Sequence, residues 1–394
     1  MTAHLMNTYA RMPVKMVRGQ GAWLYDDAGN AYLDALTGIG VCSLGHCHPA
    51  ISAAIADQAG TLLHAANVAR IPLQEELADR LAALSGMDQA FFCNSGAESL
   101  ECAFKLARLH GHRMGINAPQ VVSLSQSFHG RTLACISATD SAKVQAGFEP
   151  LVPGFLKAPF DDAAALVRLA EERDDIAAVL FEPIQGEGGV MVPHDGYLAE
   201  VRRICDQFGW LMIADEVQTG VGKTGDWFAC QHEGILPDVI TLAKALGNGV
   251  PIGACLARRK AAELFVPGKH GSTYGGNPLA CRVGLTVLEV MEGEGIIERT
   301  RELGKRIRAS LREALADHDH VREVRGRGLM IGVELTEDCP QLVGWAMEQG
   351  MIMNVTRGNT IRLLPPLIID DSEADRIVDT VSRAVQSLRL PAAV

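Results

Sequence analysis

Short apolar runs alternate along this chain with longer amphipathic stretches. The runs fall at 90–93, 121–124, 176–181, 210–214, 239–242 and 252–257. The longer ones show no period-two alternation, so they predict strands buried on both faces, as in a parallel sheet. Residues 49–60, 72–85 and the stretch after 95 carry apolar positions at helical spacing. Ahead of them, QGAWLYDDAGNAYLDA (20–35) predicts two short strands around an Asp-Ala-Gly-Asn turn. Beyond about Gly295 the texture changes. A charged amphipathic helix (298–316) leads to strand-like 328–335, a helix near 341–349, strands near 351–354 and 360–364, and a last helix at 371–388. The expected architecture is α/β, with a large mainly parallel sheet flanked by helices and a smaller α+β unit. The expected division is an N-terminal segment (1–48) packed on the small unit, a large domain (49–295) and the small C-terminal domain (296–394).

Polar residues at the ends of these runs supply the candidate chemistry. Run 210–214 ends in Asp215 and Glu216, and run 239–242 leads into Lys244 with glycines at 247 and 249. The carboxyl edge of an open α/β sheet is where such folds bind ligands. An amine and a carboxylate placed there suit an aldehyde cofactor held as a Schiff base, with the carboxylate keeping a pyridinium nitrogen protonated. A buried ion pair, or a lysine reaching out of a strand end, is an equally good reading of these two residues alone.

Other segments add weaker signals. Asn94-Ser95-Gly96-Ala97 sits between a strand and a helix, a cradle for an anion or an ordinary N-cap. In SFHGRTL, Phe128 is a candidate to stack on a flat ring and Arg131 to bind a carboxylate through its planar fork; a core aromatic and a surface arginine are the commoner roles. EPIQGEGG places Glu182 and Glu187 on a glycine-bounded loop after a strand. HGSTYGGNPLA offers the Thr273 hydroxyl. His46, Cys47 and His48 stand together without a second ligand cluster, so no metal site is expected.

Composition narrows the partners. The chain has 394 residues, 48% hydrophobic and 21% charged, with a formal net charge of −11. The acidic balance gives no basis for nucleic-acid binding. No run approaches membrane-spanning length, and no signal peptide is read at the N-terminus, so a cytoplasmic protein is expected. Ten scattered cysteines with no CxxC pair are expected to be reduced packing residues.

In order, LGHCHP, NSGAE, FHGRT, EPIQGEGG, ADEVQTG, LAKALGNG and HGSTYGGNPLA resemble the motifs of the class III (ornithine-type) aminotransferases of PLP fold type I, nearest their acetylornithine branch. The resemblance covers nearly the whole chain. It implies pyridoxal 5′-phosphate (PLP) as cofactor, bonded to Lys244. By the same resemblance Asp215 pairs with the ring nitrogen, Gln218 binds the phenolic oxygen, and Val217 and Phe128 enclose the ring. Ser95, Gly96 and Ala97 hold the phosphate. Thr273 reaches the phosphate of a neighbouring subunit, which implies a homodimer with shared sites. Arg131 and Arg362 match the two carboxylate-binding arginines, and Glu187 matches the glutamate that covers Arg362 until glutamate or 2-oxoglutarate arrives. Ornithine-specific members carry tyrosines where Trp23 and Ile39 are read here, so the expected amino donor is N-acetylornithine, or N-succinylornithine, rather than ornithine. Ser99-Leu100 departs from the family's Ala-Asn.

Overall fold

A computed structural model describes residues 4–388. Its centre is a seven-stranded sheet in the spatial order Gln89–Cys93, Gly253–Ala257, Val239–Leu242, Leu211–Asp215, Ile176–Phe181, Gln120–Leu124 and Phe155–Ala158. Neighbouring strands are parallel except at Gly253–Ala257, which runs antiparallel to both its neighbours.

The continuous apolar runs follow from burial on both faces. Alternate side chains of one strand enter two different cores. Val122, Val179, Met212 and Ile240 pack into the larger core with helices Tyr197–Phe208 and Pro278–Gly293. Val121, Ala178, Ile213 and Val239 pack on the opposite face against helix Gly96–Arg113. Polar chemistry therefore has room only at the strand ends.

Two smaller sheets flank this one. Val321–Arg327, Met330–Leu335, Thr360–Leu363 and Asn354–Thr356 form an antiparallel sheet beside helices Ile296–Ala314 and Asp371–Gln386. Met16–Gln20, Trp23–Asp26 and Ala31–Asp34 form the other, completed by Met351–Ile352 lying parallel to Ala31–Asp34.

Two details differ from the sequence pattern. Val321–Arg327 is a strand where charges gave no such signal; it lies at a sheet edge, where Arg322 and Glu323 reach solvent while Arg325 is buried. The expected strand at 351–354 is two strands in two sheets, with Met353 between them.

Helix Ile296–Ala314 docks backbone to backbone on the turn at Gly328. A Cβ at Gly304 would lie 2.0 Å from the carbonyl oxygen of Gly328. Gly304→Ala is expected to destabilise the protein by about 1–3 kcal/mol, because overpacking here meets backbone rather than a movable side chain. Thermal melting of the purified variant checks this.

Candidate active site

Asp215 ends one central strand, Lys244 follows the next and Glu182 follows a third. Ser95 lies just past the strand Gln89–Cys93. All four reach a single cavity of about 310 Å³ at the carboxyl edge of the parallel strands. Gly96, Ala97, Phe128, Val217 and Gln218 also line it. Eight of the residues singled out from the sequence are thus brought together with Glu182.

Asp215 is 5% exposed and receives three hydrogen bonds. The Val217 N–H and the Thr241 hydroxyl each donate to Oδ1 at 3.2 Å, and His129 Nδ1 lies 2.8 Å from Oδ2. His129 was not foreseen. It stands in the FHGRT motif, but its partner is 86 residues away, so nothing local announces the contact.

Lys244 adopts a left-handed backbone conformation, φ +45°, which is costly for a residue with a side chain. Burial, and then the nearby Arg362 guanidinium, pushes its amine below the ordinary lysine value. More of it is therefore the free, nucleophilic base at neutral pH than for a surface lysine. A second lysine, Lys223, is fully buried and lies outside this cavity, its Nζ 3.4 Å from the Pro365 carbonyl oxygen. Burial lowers its pKa to about 7.

Glu182 accepts from the Phe128 N–H at 3.0 Å and the Gly186 N–H at 3.3 Å. It thereby ties the Phe128 loop to the strand end. Burial, and then the Asp215 charge, raises its pKa to about 8.

Arg362 is fully buried. Its Nη1 donates to Glu187 Oε1 at 2.5 Å and to Gln218 Oε1 at 3.4 Å, and its Nε donates to Asn354 Oδ1 at 3.2 Å. Nη2 has no hydrogen-bond partner among the described residues. Glu187 and Phe128 border a second cavity of about 480 Å³, which Arg131 also lines.

Three residues lie elsewhere. Thr273 is exposed and outside both cavities. Ile39 is 41% exposed and lines neither cavity, although Val41 lines the first. Trp23 is a packing residue rather than a pocket wall: its indole N–H donates to Glu373 at 2.7 Å, and Arg376 lies over its ring. Leu100 does line the first cavity, adding an apolar wall, while the Ser99 hydroxyl donates to the Gly96 carbonyl within the helix.

A family model described as aminotransferase class-III matches residues 5–385. The chain belongs to the class-III aminotransferases. Among its relatives, the acetylornithine aminotransferase of Nitrosomonas europaea is 52% identical over 383 residues, covering 97% of this chain and 98% of that protein. That of Aquifex aeolicus is 46% identical, covering 96% and 98%. In structure, this aminotransferase is similar to the ornithine aminotransferase of Toxoplasma gondii, with a TM-score of 0.94, 35% identity and coverage of 98% and 93%. It is also similar to the acetylornithine aminotransferase of Elizabethkingia anophelis, with a TM-score of 0.87, 34% identity and coverage of 98% and 97%. A further Toxoplasma gondii structure is described as having partial occupancy of PLP at its active site.

The residues of the first cavity fit a flat, phosphorylated aldehyde. Gly96 leaves space that a Cβ would close, since one there would come within 2.8 Å of Val217 Cγ1. The Ser95 hydroxyl accepts from the Glu98 N–H at 3.2 Å as an N-cap, and the N–H groups of Gly96 and Ala97 ahead of it have no intrahelical partner, so the start of helix Gly96–Arg113 suits a phosphate. Val217 and Phe128 provide apolar walls, with Lys244 and Asp215 in the same cavity.

Glu182 gives a pH test. Its folded value lies above the ordinary carboxyl value, so the stability of the neutral form is fully present at low pH. It is lost progressively between about 4.5 and about 8. The melting temperature of Glu182→Gln relative to the parent is therefore expected to rise across that window in cofactor-free protein. A difference that stays flat with pH would contradict the shift.

Proposed function

We propose that this enzyme transfers the ω-amino group of N2-acetyl-L-ornithine to 2-oxoglutarate, giving N-acetyl-L-glutamate 5-semialdehyde and L-glutamate, with PLP as cofactor. The observation that carries the reading is Lys244 and Asp215 in one cavity beside an arginine covered by Glu187. The names of its curated relatives support the same donor.

When bound, PLP supplies an aldehyde for amine exchange and a protonated ring that draws electrons from the reacting carbon. Lys244 offers the free amine and takes the proton from the donor's ω-carbon. Asp215, oriented by His129, Thr241 and the Val217 N–H, holds the ring nitrogen protonated. Ser95, Gly96 and Ala97 hold the phosphate, Gln218 the phenolic oxygen, and Val217 and Phe128 the ring faces.

The two substrates differ near the reacting carbon. The donor has no carboxylate there, and an uncompensated buried guanidinium would be costly. Glu187 pairs with Arg362 during that half-reaction. 2-Oxoglutarate brings two carboxylates, one for Arg362 and one for Arg131. The second cavity carries Lys143 and Arg357 besides Arg131. These further cations favour an N-succinyl donor as the second reading, since its acyl group adds a carboxylate.

The exposed Thr273 lies beside exposed Tyr274, whose ring contacts His64 in a segment that also exposes Leu62, Leu63 and Val68. This apolar surface supports a homodimer in which Thr273 reaches the partner's phosphate. Among the described residues no helix is long and apolar enough to cross a membrane. We place the enzyme in the cytoplasm. The division at 48/49 and 295/296 is part of the same reading.

The decisive assay follows the visible absorbance of the PLP-loaded enzyme without 2-oxoglutarate. Rapid conversion is expected with N-acetylornithine and much slower conversion with ornithine or 4-aminobutyrate. Fast conversion with ornithine would overturn the donor, and none with any amine would overturn the reaction. Lys244→Ala is expected to lose both turnover and the band of the lysine-bonded cofactor. Arg362→Ala is expected to slow the 2-oxoglutarate half-reaction more than the donor half-reaction, by about tenfold or more, as for loss of a charge-assisted contact. Equal losses in single-turnover measurements would refute the two-substrate argument.

A further inference from the structure

We propose that Thr356 and Arg325 are positioning residues for the Glu187–Arg362 pair, fixing the backbone beneath Glu187 so that the pair opens by rotation of one side chain. The proposal rests on the aminotransferase reading above and explains how that switch is kept closed for the ω-amine donor.

The segment Gly186-Glu187-Gly188-Gly189-Val190 is rich in glycine, and glycine loses the most conformational freedom on ordering. Its carbonyls are nevertheless captured from the C-terminal sheet. The Thr356 hydroxyl donates to the Glu187 carbonyl oxygen at 2.5 Å. Arg325 donates through Nη2 to the Gly189 carbonyl at 2.7 Å and through Nε to the Gly189 and Val190 carbonyls at 3.1 and 3.0 Å. Arg325 is itself buried and held by Glu323 and Glu334.

Thr356 belongs to the hairpin that also carries Arg362, and Asn354 on that hairpin accepts from Arg362 Nε. One hairpin therefore holds the guanidinium and the backbone of its carboxylate partner. The Glu187 side chain is 35% exposed, so it has room to turn while its main chain does not.

This arrangement sets the balance between closed and open forms. With the backbone fixed, closing the pair orders only side chains. With it released, closing must also order a glycine-flanked backbone, and the closed-to-open ratio falls on the order of fivefold. Release should therefore favour dicarboxylates, which bind the open form, and disfavour the ω-amine donor.

The test uses the holoenzyme and glutarate, a dicarboxylate with neither amine nor carbonyl, by titration calorimetry. Thr356→Val is expected to shift the ratio of glutarate affinity to kcat/KM for N-acetylornithine about fivefold toward glutarate, most of it as tighter glutarate binding because the closed form predominates in the parent. Thr356→Ser should restore both values, because it keeps the hydroxyl. Unchanged or weaker glutarate binding by a Thr356→Val protein with parental melting temperature would overturn the proposal. Hydrogen exchange on the unmodified holoenzyme decides independently, should that variant fail to fold. Amides of 186–190 that stay protected with and without glutarate support a fixed backbone, and amides that open with glutarate overturn it. If the parent shows no glutarate affinity that Arg362→Ala removes, the 2-oxoglutarate reading itself fails, an outcome separate from the one that refutes the clamp.

Discussion

A sheet covered on both faces has nowhere to keep charge except its ends. Strands such as Ile176–Phe181 and Leu211–Asp215 are buried along their whole length, with successive side chains in two different cores. Asp215, Glu182 and Lys244 emerge where the strands stop, and the strands, lying side by side, bring these residues to one cavity. The lysine's left-handed backbone and the glycine tightly apposed to Val217 at the start of helix Gly96–Arg113 are local departures that such a rigid frame can sustain.

Within that cavity the electrostatics are collective. Burial favours the neutral amine of Lys244 and the neutral carboxyl of Glu182, and each is biased further by a neighbouring charge, Arg362 for the first and Asp215 for the second. Asp215 is surrounded by donors. Arg362 has no exposed surface and shares Glu187 and Gln218. A substrate entering there would therefore meet a connected set of polar groups and not isolated charges.

The fold and most of the cavity were legible in the sequence because both depend on local pattern. Uninterrupted apolar runs mark two-sided strands, and the polar residue after each run marks the ligand edge. Orientation was not legible: Gly253–Ala257 is as apolar as its parallel neighbours yet runs the other way. Contacts between distant segments were also hidden. His129 beside Asp215, Arg325 on the Glu187 loop and Trp23 turned toward Glu373 depend on tertiary packing that no short window contains. The family resemblance supplied the Glu187–Arg362 partnership, which spacing alone would not have suggested.

The short stretch Met351–Thr356 gives two strands to two different sheets. Met351–Ile352 is the last strand of the sheet begun by the first strands of the chain, and the backbone of Leu33 and Ala35 bonds to Gly350 and Ile352. On a ribosome, those first strands leave the tunnel long before their partner is made. All seven strands of the large sheet, which ends at Ala257, can assemble before that pairing forms. A nascent chain cut short before Met351 therefore already carries Lys244 and Asp215 but lacks the strand that completes the small sheet just ahead of Val41.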